Sequence, residues 1–284
     1  MTLERLSVAQ LGDVPETLLI PLAARAIART AFPGTGFSDP AAEVIAARLD
    51  TDLTRFSVDR GSMCASIRRA QWFDKVARLF LSEHPRGLCV SLGAGLDTRA
   101  ARVGPAQLAE TNWIDLDLPE VAALRTALIP DQPNVVSGTG DATDPAAWIE
   151  ALPWQEGRPL LLLIEGVVMY LTIEVVHGLV TAVCSAAERR KAPMWLVLDY
   201  ASPFMMRMSR RHPSVKKTRA TFASSLRRPE DLRICDHRLV TADHKDVSSA
   251  AGFAGALIGL CHRLLTGGRS VHGCVHYRFE PRLV

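Results

Sequence analysis

The sequence predicts an α/β fold built on an open, mostly parallel sheet with helices on both faces. Three observations carry that prediction. Short apolar runs of strand length alternate with helical patterns between Leu88 and Tyr200, the layout of successive crossover units. The first run, Leu88, Cys89, Val90, Ser91 and Leu92, ends in the turn Gly93-Ala94-Gly95, and Asp97 and Thr98 then open a helix. A strand, a glycine turn and a helix N-terminus form the place where such a sheet binds ligands, because glycines let a ligand approach the backbone. Finally, 284 residues at 48% hydrophobic supply a substantial core for one large domain or two small ones.

In chain order, Pro15 to Thr30 reads as an amphipathic helix, with Leu18, Leu19, Leu22, Ala26 and Ile27 on one side. Pro21 either kinks it or marks its true start. A turn follows at 33–36. Asp39 and Pro40 are an N-cap and first-position pair for a helix through Leu49. A third helix runs from about Ser62 to Ser82. These three precede the sheet and form a lid or flank over its ligand end. Strands are expected at 88–92, 111–115 and 133–137, then from Pro159 to Glu165 and from Met194 to Tyr200. Pro119 opens one intervening helix, Pro145 behind Asp144 another, and Thr172 caps a longer one toward Arg190. Beyond Tyr200 the chain turns basic and mixed, helical with a break at Pro213. From Val271 to Phe279 it alternates: a half-exposed strand with Val271, Gly273, Val275, Tyr277 and Phe279 on one face and His272, Cys274, His276 and Arg278 on the other.

Composition excludes several classes. A net charge of +3 does not point to nucleic acid or a membrane surface. Six scattered cysteines without a Cys-x-x-Cys pair argue against structural zinc and a disulfide framework, and for a reducing, cytoplasmic setting; no metal is expected. Glu4 and Asp13 do not fit a signal peptide. The apolar run from Ala250 to Cys261 is too short to span a bilayer. Cys89 and Met169 read as core.

The turn favours one ligand class over another. A dinucleotide fingerprint wants a third small residue three places after the second glycine. Thr98 stands there, which weakens a nicotinamide reading. Asp115 and Asp117 lie about twenty residues on, at the end of the second strand, where a carboxylate accepts from both ribose hydroxyls. A nucleoside with a free ribose and no pyrophosphate fits, and S-adenosylmethionine is such a ligand.

The segments LGAGLDTR (92–99), LDLPEV (116–121) with Arg125 after it, and IEGVVMYL (164–171) resemble the leucine carboxyl methyltransferase family, and within it bacterial O-methyltransferases that tailor polyketides. ETLLIPLAARA, SDPAA and RRAQWFD extend the resemblance, which covers roughly residues 15 to 200. It implies a class I methyltransferase-like (Rossmann-like) fold: a mostly parallel seven-stranded sheet with an antiparallel C-terminal strand and an N-terminal helical cap. It further implies one domain, with a cap over 1–85, a cofactor core over 86–200, and a substrate-recognition insertion with the C-terminal strands over 201–284. S-adenosyl-L-methionine is the implied cofactor.

The implied function is O-methylation of a small natural-product acceptor. A carboxylate is ionised at pH 7 and needs no general base, whereas a phenol usually does. No base motif stands out, so a carboxylate is the expected acceptor, with a hydroxyl as the other possibility. Methylation of a protein C-terminus, a nicotinamide-dependent oxidoreductase and a non-catalytic cofactor-binding protein are the alternatives. Oligomeric state is not legible.

By resemblance, the cofactor-binding residues are Arg69, Gly93, Ala94, Gly95, Asp117, Leu118, Asp141, Ala142 and Glu165. Arg69, in an R-A-Q-W-F-D variant of the family's R-T-x-x-F-D element, pairs with the methionyl carboxylate, with Arg68 as rival; its fork suits bidentate binding. Asp117 takes the ribose, with Asp115 as rival. Asp141 accepts from the adenine amine while a backbone amide at Ala142 faces the ring. Glu165 ends a buried strand and needs a partner such as the cofactor's ammonium. Tyr170 follows on the loop, as a contact to cofactor or acceptor or as a packed aromatic. Glu165 and Tyr170 are the catalytic candidates. The basic cluster Arg207, Arg210, Arg211, His212, Lys216 and Lys217 either receives an acidic substrate or is a solvated face. His237, His244 and His262 are loose base candidates.

Overall fold

The computed structural model describes residues 6, 15–56, 59–104, 106, 108–110, 112–209 and 221–282. Seven strands form one sheet: β1 (Leu88–Leu92), β2 (Asn112–Asp117), β3 (Val135–Thr139), β4 (Leu160–Ile164), β5 (Met194–Ala201), β6 (Val240–Asp246) and β7 (His272–Phe279). Their order is β3-β2-β1-β4-β5-β7-β6. The pairs among β1 to β5 are parallel, and β7 runs antiparallel to both β5 and β6. The order reverses beside β1, so the carboxyl ends of β1, β2, β4 and β5 frame the crevice of an open sheet.

The helices are α1 (Leu19–Ala26), α2 (Ala28–Ala31), α3 (Pro40–Arg48), α4 (Arg60–Glu83), α5 (Arg99–Val103), α6 (Pro119–Leu128), α7 (Pro145–Ala151), α8 (Ile173–Arg189), α9 (Pro203–Ser209) and α10 (Gly252–Thr266). Pro21 sits at the third position of α1. An amide is not needed there, so the proline marks a start and causes no kink. Asp39, Asp59, Asp144 and Thr172 each accept from a first-turn amide, as N-caps do. Thr98 makes no cap bond; its hydroxyl donates to Asp39 instead, at 2.7–2.8 Å.

Two apolar layers cover the sheet. Val90, Leu162, Leu196 and Tyr277 face α7 and α8, while Cys89, Leu161, Val197 and Cys274 face α4. A third cluster, Leu19, Leu22, Ile45, Met63 and Ile67, holds α1 and α3 on the first half of α4 and reaches Leu96 beside the glycine turn. The flank over the ligand end is thus one long helix with two apolar faces, the second formed by Phe73, Val76, Ala77 and Phe80 against the sheet.

Four expectations change. β2 and β3 run two residues further than predicted, because the strands continue to the crevice. β7 is buried on both faces rather than half-exposed: Cys274 is fully buried and His276 nearly so, since β7 lies between β5 and β6 with helices beneath. β6 was not foreseen; its sequence, VTADHKD, is polar because it forms the sheet edge. Of the basic cluster, Arg207 is described and turns back to the Pro203 carbonyl of its own helix, whereas Arg210, Arg211, His212, Lys216 and Lys217, with the break at Pro213, lie outside the described residues. Among the described residues no helix is long and apolar enough to cross a membrane. No cluster of metal-binding side chains occurs among them either.

Candidate active site

The glycine turn is tied to β2. Gly93 and Gly95 both have positive φ, +68° and +53°, which glycine adopts without strain. At Gly93 a Cβ would also stand 2.3 Å from a Val167 methyl. The Gly93 and Ala94 amides donate to the Leu116 carbonyl at 2.8 and 3.1 Å. The Gly95 amide donates to Asp117 at 2.6 Å. A dinucleotide loop keeps such amides for a pyrophosphate; here β2 takes all three. Arg125 braces the turn from behind, donating to the carbonyls of Gly95 and Asp97 at 2.6 and 3.0 Å.

Asp115 and Asp117 separate cleanly. Asp115 is buried against Arg125 and accepts from the Trp113 indole at 2.9 Å, so it is part of the brace. Asp117 stands at the end of β2. One of its oxygens accepts from Gly95 and the other from the Leu118 amide at 2.8 Å. Burial raises its pKa, and the two amides only partly oppose that. Each oxygen keeps a second lone pair. A pair of hydroxyls satisfies the remaining lone pairs of such a carboxylate, so Asp117 suits a ribose diol. Asp141 is exposed after β3 and accepts from the Thr143 amide at 2.7 Å. Ala142 beside it is buried.

Arg69 and Glu165 are brought together, with partners the sequence did not reveal. Arg69 donates from Nε to Glu165 at 2.9 Å and from Nη1 to Asp199 at 2.8 Å. Its Nη2 lies against Gly166, where a Cβ would come within 3.3 Å. Glu165 also receives Arg99, so each of its oxygens is engaged by one arginine, and the partners that its burial calls for come from within the chain. Arg68 points elsewhere, donating to Gln71 at 3.1 Å and to the Thr35 carbonyl.

Asp199, at the end of β5 and fully buried, is the residue sequence reasoning missed. It accepts from Arg69, from the Gly166 amide at 2.6 Å, and lies 2.7 Å from His272 Nε2. Burial alone would raise its pKa; Arg69, His272 and the amide outweigh that and hold the carboxyl well below the usual range. Its signal was available, since an acid ending an apolar run, as in WLVLDY, repeats the pattern of Glu165. His272 opens β7 opposite Ala201. A carboxylate only accepts, so Nε2 is the donor in this contact. The other histidines are placed otherwise. His244 lies between Tyr200 and Ser270, His262 meets the Arg269 carbonyl, and His237 is exposed.

Tyr170 closes the wall. It ends a single 3-10 turn, Val168–Tyr170. Phe222 meets its ring edge-on at 5.3 Å, and the chain at 223–224 is bonded to the Val168 and Met169 carbonyls. Burial pushes the phenol up to about 12, with Arg69 and Asp199 as opposing charged neighbours. At neutral pH it is a hydrogen-bond donor.

A buried ion network joins this wall to the helical flank. Arg99 and Arg102 both pair with Asp74 of α4 at 2.8 Å and with Asp97 at 2.9 and 2.8 Å. Arg102 reaches Asp39, the cap of α3, at 2.7 Å, and Arg25 of α1 pairs with Asp39 at 3.3 Å. The motif D-T-R-x-x-R therefore joins the glycine turn to the helices that precede the sheet.

The leucine carboxyl methyltransferase family profile matches residues 19–184. The chain is 31% identical over 225 residues to the tetracenomycin polyketide synthesis O-methyltransferase TcmP of Streptomyces glaucescens, 78% of this chain and 79% of that protein. It is 31% identical over 184 residues, 60% of each chain, to the S-adenosyl-L-methionine-dependent methyltransferase dpfgK of Gibberella zeae. Among solved structures, a presumed methyltransferase from Thermobifida fusca shares the fold with a TM-score of 0.57 at 16% identity, covering 93% of this chain and 94% of that one. A Streptomyces avermitilis protein of the DUF574 family does so with a TM-score of 0.57 at 15% identity, covering 90% and 97%.

Proposed function

The chain belongs to the leucine carboxyl methyltransferase family and is an S-adenosylmethionine-dependent methyltransferase; on that footing we propose that it O-methylates a small natural-product acceptor at a carboxylate. The likeness to a polyketide O-methyltransferase supports the acceptor class. What supports the carboxylate is Tyr170, a phenol donor on the loop after β4 whose ring Phe222 holds edge-on at 5.3 Å, since a donor can hold one oxygen of an acceptor that is already ionised and needs no general base.

When bound, S-adenosylmethionine supplies the activated methyl group. The chain's part is to bind, orient and exclude water. In this reading Asp117 accepts from the ribose hydroxyls, with Gly95 and Leu118 aiming its oxygens. Gly93 and Ala94 hold the turn open, and Asp141 and Ala142 border the base. Arg69 offers Nη2 to the methionyl carboxylate. Glu165 is a positioning residue that fixes Arg69 and Arg99. Tyr170 donates to one acceptor oxygen and leaves the other free to attack. Gripping both oxygens would stabilise the ground state, and catalysis gains only from what is stronger in the transition state. The cap over 1–85 and the region over 201–284 supply the acceptor walls, around the cofactor core over 86–200.

A second reading is favoured by the 2.7 Å contact of His272 with Asp199. An imidazole oriented by a carboxylate is the kind of general base that a hydroxyl acceptor needs. The two readings differ in product. The chain is incubated with trideuteromethyl-labelled S-adenosylmethionine and aromatic carboxylic acids, alongside matched phenols without the carboxyl group. Labelled esters, cleaved by alkaline hydroxylamine, are expected. Base-stable labelled ethers from the phenols, with the acids untouched, would replace the first reading by the second.

A further inference from the structure

Helix α10 connects β6 to β7 and turns an apolar face outward. Phe253, Leu257, Leu260 and Leu264 recur at spacings of four, three and four along one seam, with Ile258 and Leu265 beside it. All six are 47–87% exposed. The helix cannot roll to hide them, because its other side is fixed by close approach. A Cβ at Gly255 would stand 2.6 Å from Ala251 Cβ and 2.8 Å from the Ser248 carbonyl, and one at Gly259 would stand 2.9 Å from Ser248 Oγ. Arg263 is held to Asp246 at 3.3 Å and His262 to the Arg269 carbonyl at 3.0 Å.

The occupant follows from chemistry and area. The six side chains expose roughly 700 Å² of apolar surface, more than a monomer usually leaves in one patch and close to the about 800 Å² that each partner of a standard interface buries. Phe204 and Met208 of α9, both exposed, widen it, with the Phe204 ring 5.6 Å from His262. A membrane-surface helix carries Lys and Arg beside its apolar face, whereas α10 has no lysine and its one arginine is paired. The stretch after α9, residues 210–220, has Val215 as its one large apolar residue among Arg210, Arg211, Lys216, Lys217 and Arg219, so its composition does not match this face. A second copy of the chain does match. A two-fold axis sets the same patch against itself, and a seam without charge meets no like-charge repulsion there.

We propose that α10 is the surface through which two copies of this chain pair, helix against helix about a two-fold axis. The test is sedimentation equilibrium of the whole chain up to about 100 μM, well above a micromolar Kd. The wild type sediments at twice the chain mass. Leu257→Glu with Leu264→Glu, and separately Phe253→Asp, sediment as monomers. Both variants bind S-adenosylhomocysteine by calorimetry as the wild type does, which shows that they are folded. A monomeric wild type throughout the range would overturn the proposal. So would a dimer that survives the acidic substitutions, or a wild-type monomer that co-sediments with phosphatidylglycerol vesicles.

Discussion

Asp117 holds a carboxylate in a place that burial makes costly for its charge, with only two amides in partial compensation. Replacing it by Asn removes that charge. One of the two amides then faces an NH2 group in place of an acceptor, so the ligand-free protein should lose about 1–3 kcal/mol of stability, and S-adenosylhomocysteine binding should weaken by about 1–3 kcal/mol through the lost acceptor. Thermal unfolding and calorimetry of one preparation check both. Tyr170 and His272 carry the acceptor question. If the acceptor is a carboxylate, single-turnover rates with saturating cofactor stay level from about pH 6.5 to 9, and His272→Asn leaves them level. A rise with pH that His272→Asn abolishes would assign the imidazole as base. Asp117 was legible in the sequence because its partners lie next to it or in the glycine turn. Asp199 and His272 were not, because Arg69 meets Asp199 across 130 residues and Asp199 meets His272 across 73. Glu165 was legible as an acid that ends a buried strand, but its arginine partners on α4 and α5 come from chain topology, which residue pattern does not give.

At the scale of elements, the glycine turn and the ion network make separable demands. Gly93→Ala combines a positive φ with a methyl 2.3 Å from Val167. The strain alone costs about 1–3 kcal/mol. Adding Val167→Ala removes the clash and leaves the backbone strain, so denaturant unfolding should show partial recovery. No recovery would mean that the turn tolerates no side chain at all. Arg102 serves Asp39, Asp74 and Asp97 together. Arg102→Ala leaves buried carboxylates short of a partner and should cost about 3–5 kcal/mol in urea unfolding. Hydrogen exchange should then rise first in α1 and α3, whose anchor Asp39 is. The three leading helices were visible in the sequence through caps and periodicity. Their attachment was not, since D-T-R-x-x-R reads as a helix start until Asp39 and Asp74 are seen beside it. β6 escaped notice for the opposite reason: an edge strand needs no apolar face, so it lacks the pattern that reveals the others.

For the whole molecule, the buried carboxylates set the response to acid. Asp97 and Asp199 are both held below the usual range: burial opposes this, and arginines outweigh it. A depressed folded value contributes stability that is complete above about pH 4 and is lost as pH falls through it. The urea midpoint should therefore stay level from about pH 7 to 5 and drop below about pH 4, with a shallower drop in Asp199→Asn. In the proposed function, the crevice at the ends of β1, β2 and β4 holds S-adenosylmethionine through Asp117. Its most direct test is calorimetric titration of the wild type and Asp117→Ala with S-adenosylhomocysteine and, separately, NAD. The wild type should bind S-adenosylhomocysteine, the folded variant about ten- to a hundredfold more weakly, and NAD should give no heat. Equal affinity in the two proteins, or binding of NAD in place of S-adenosylhomocysteine, would contradict it.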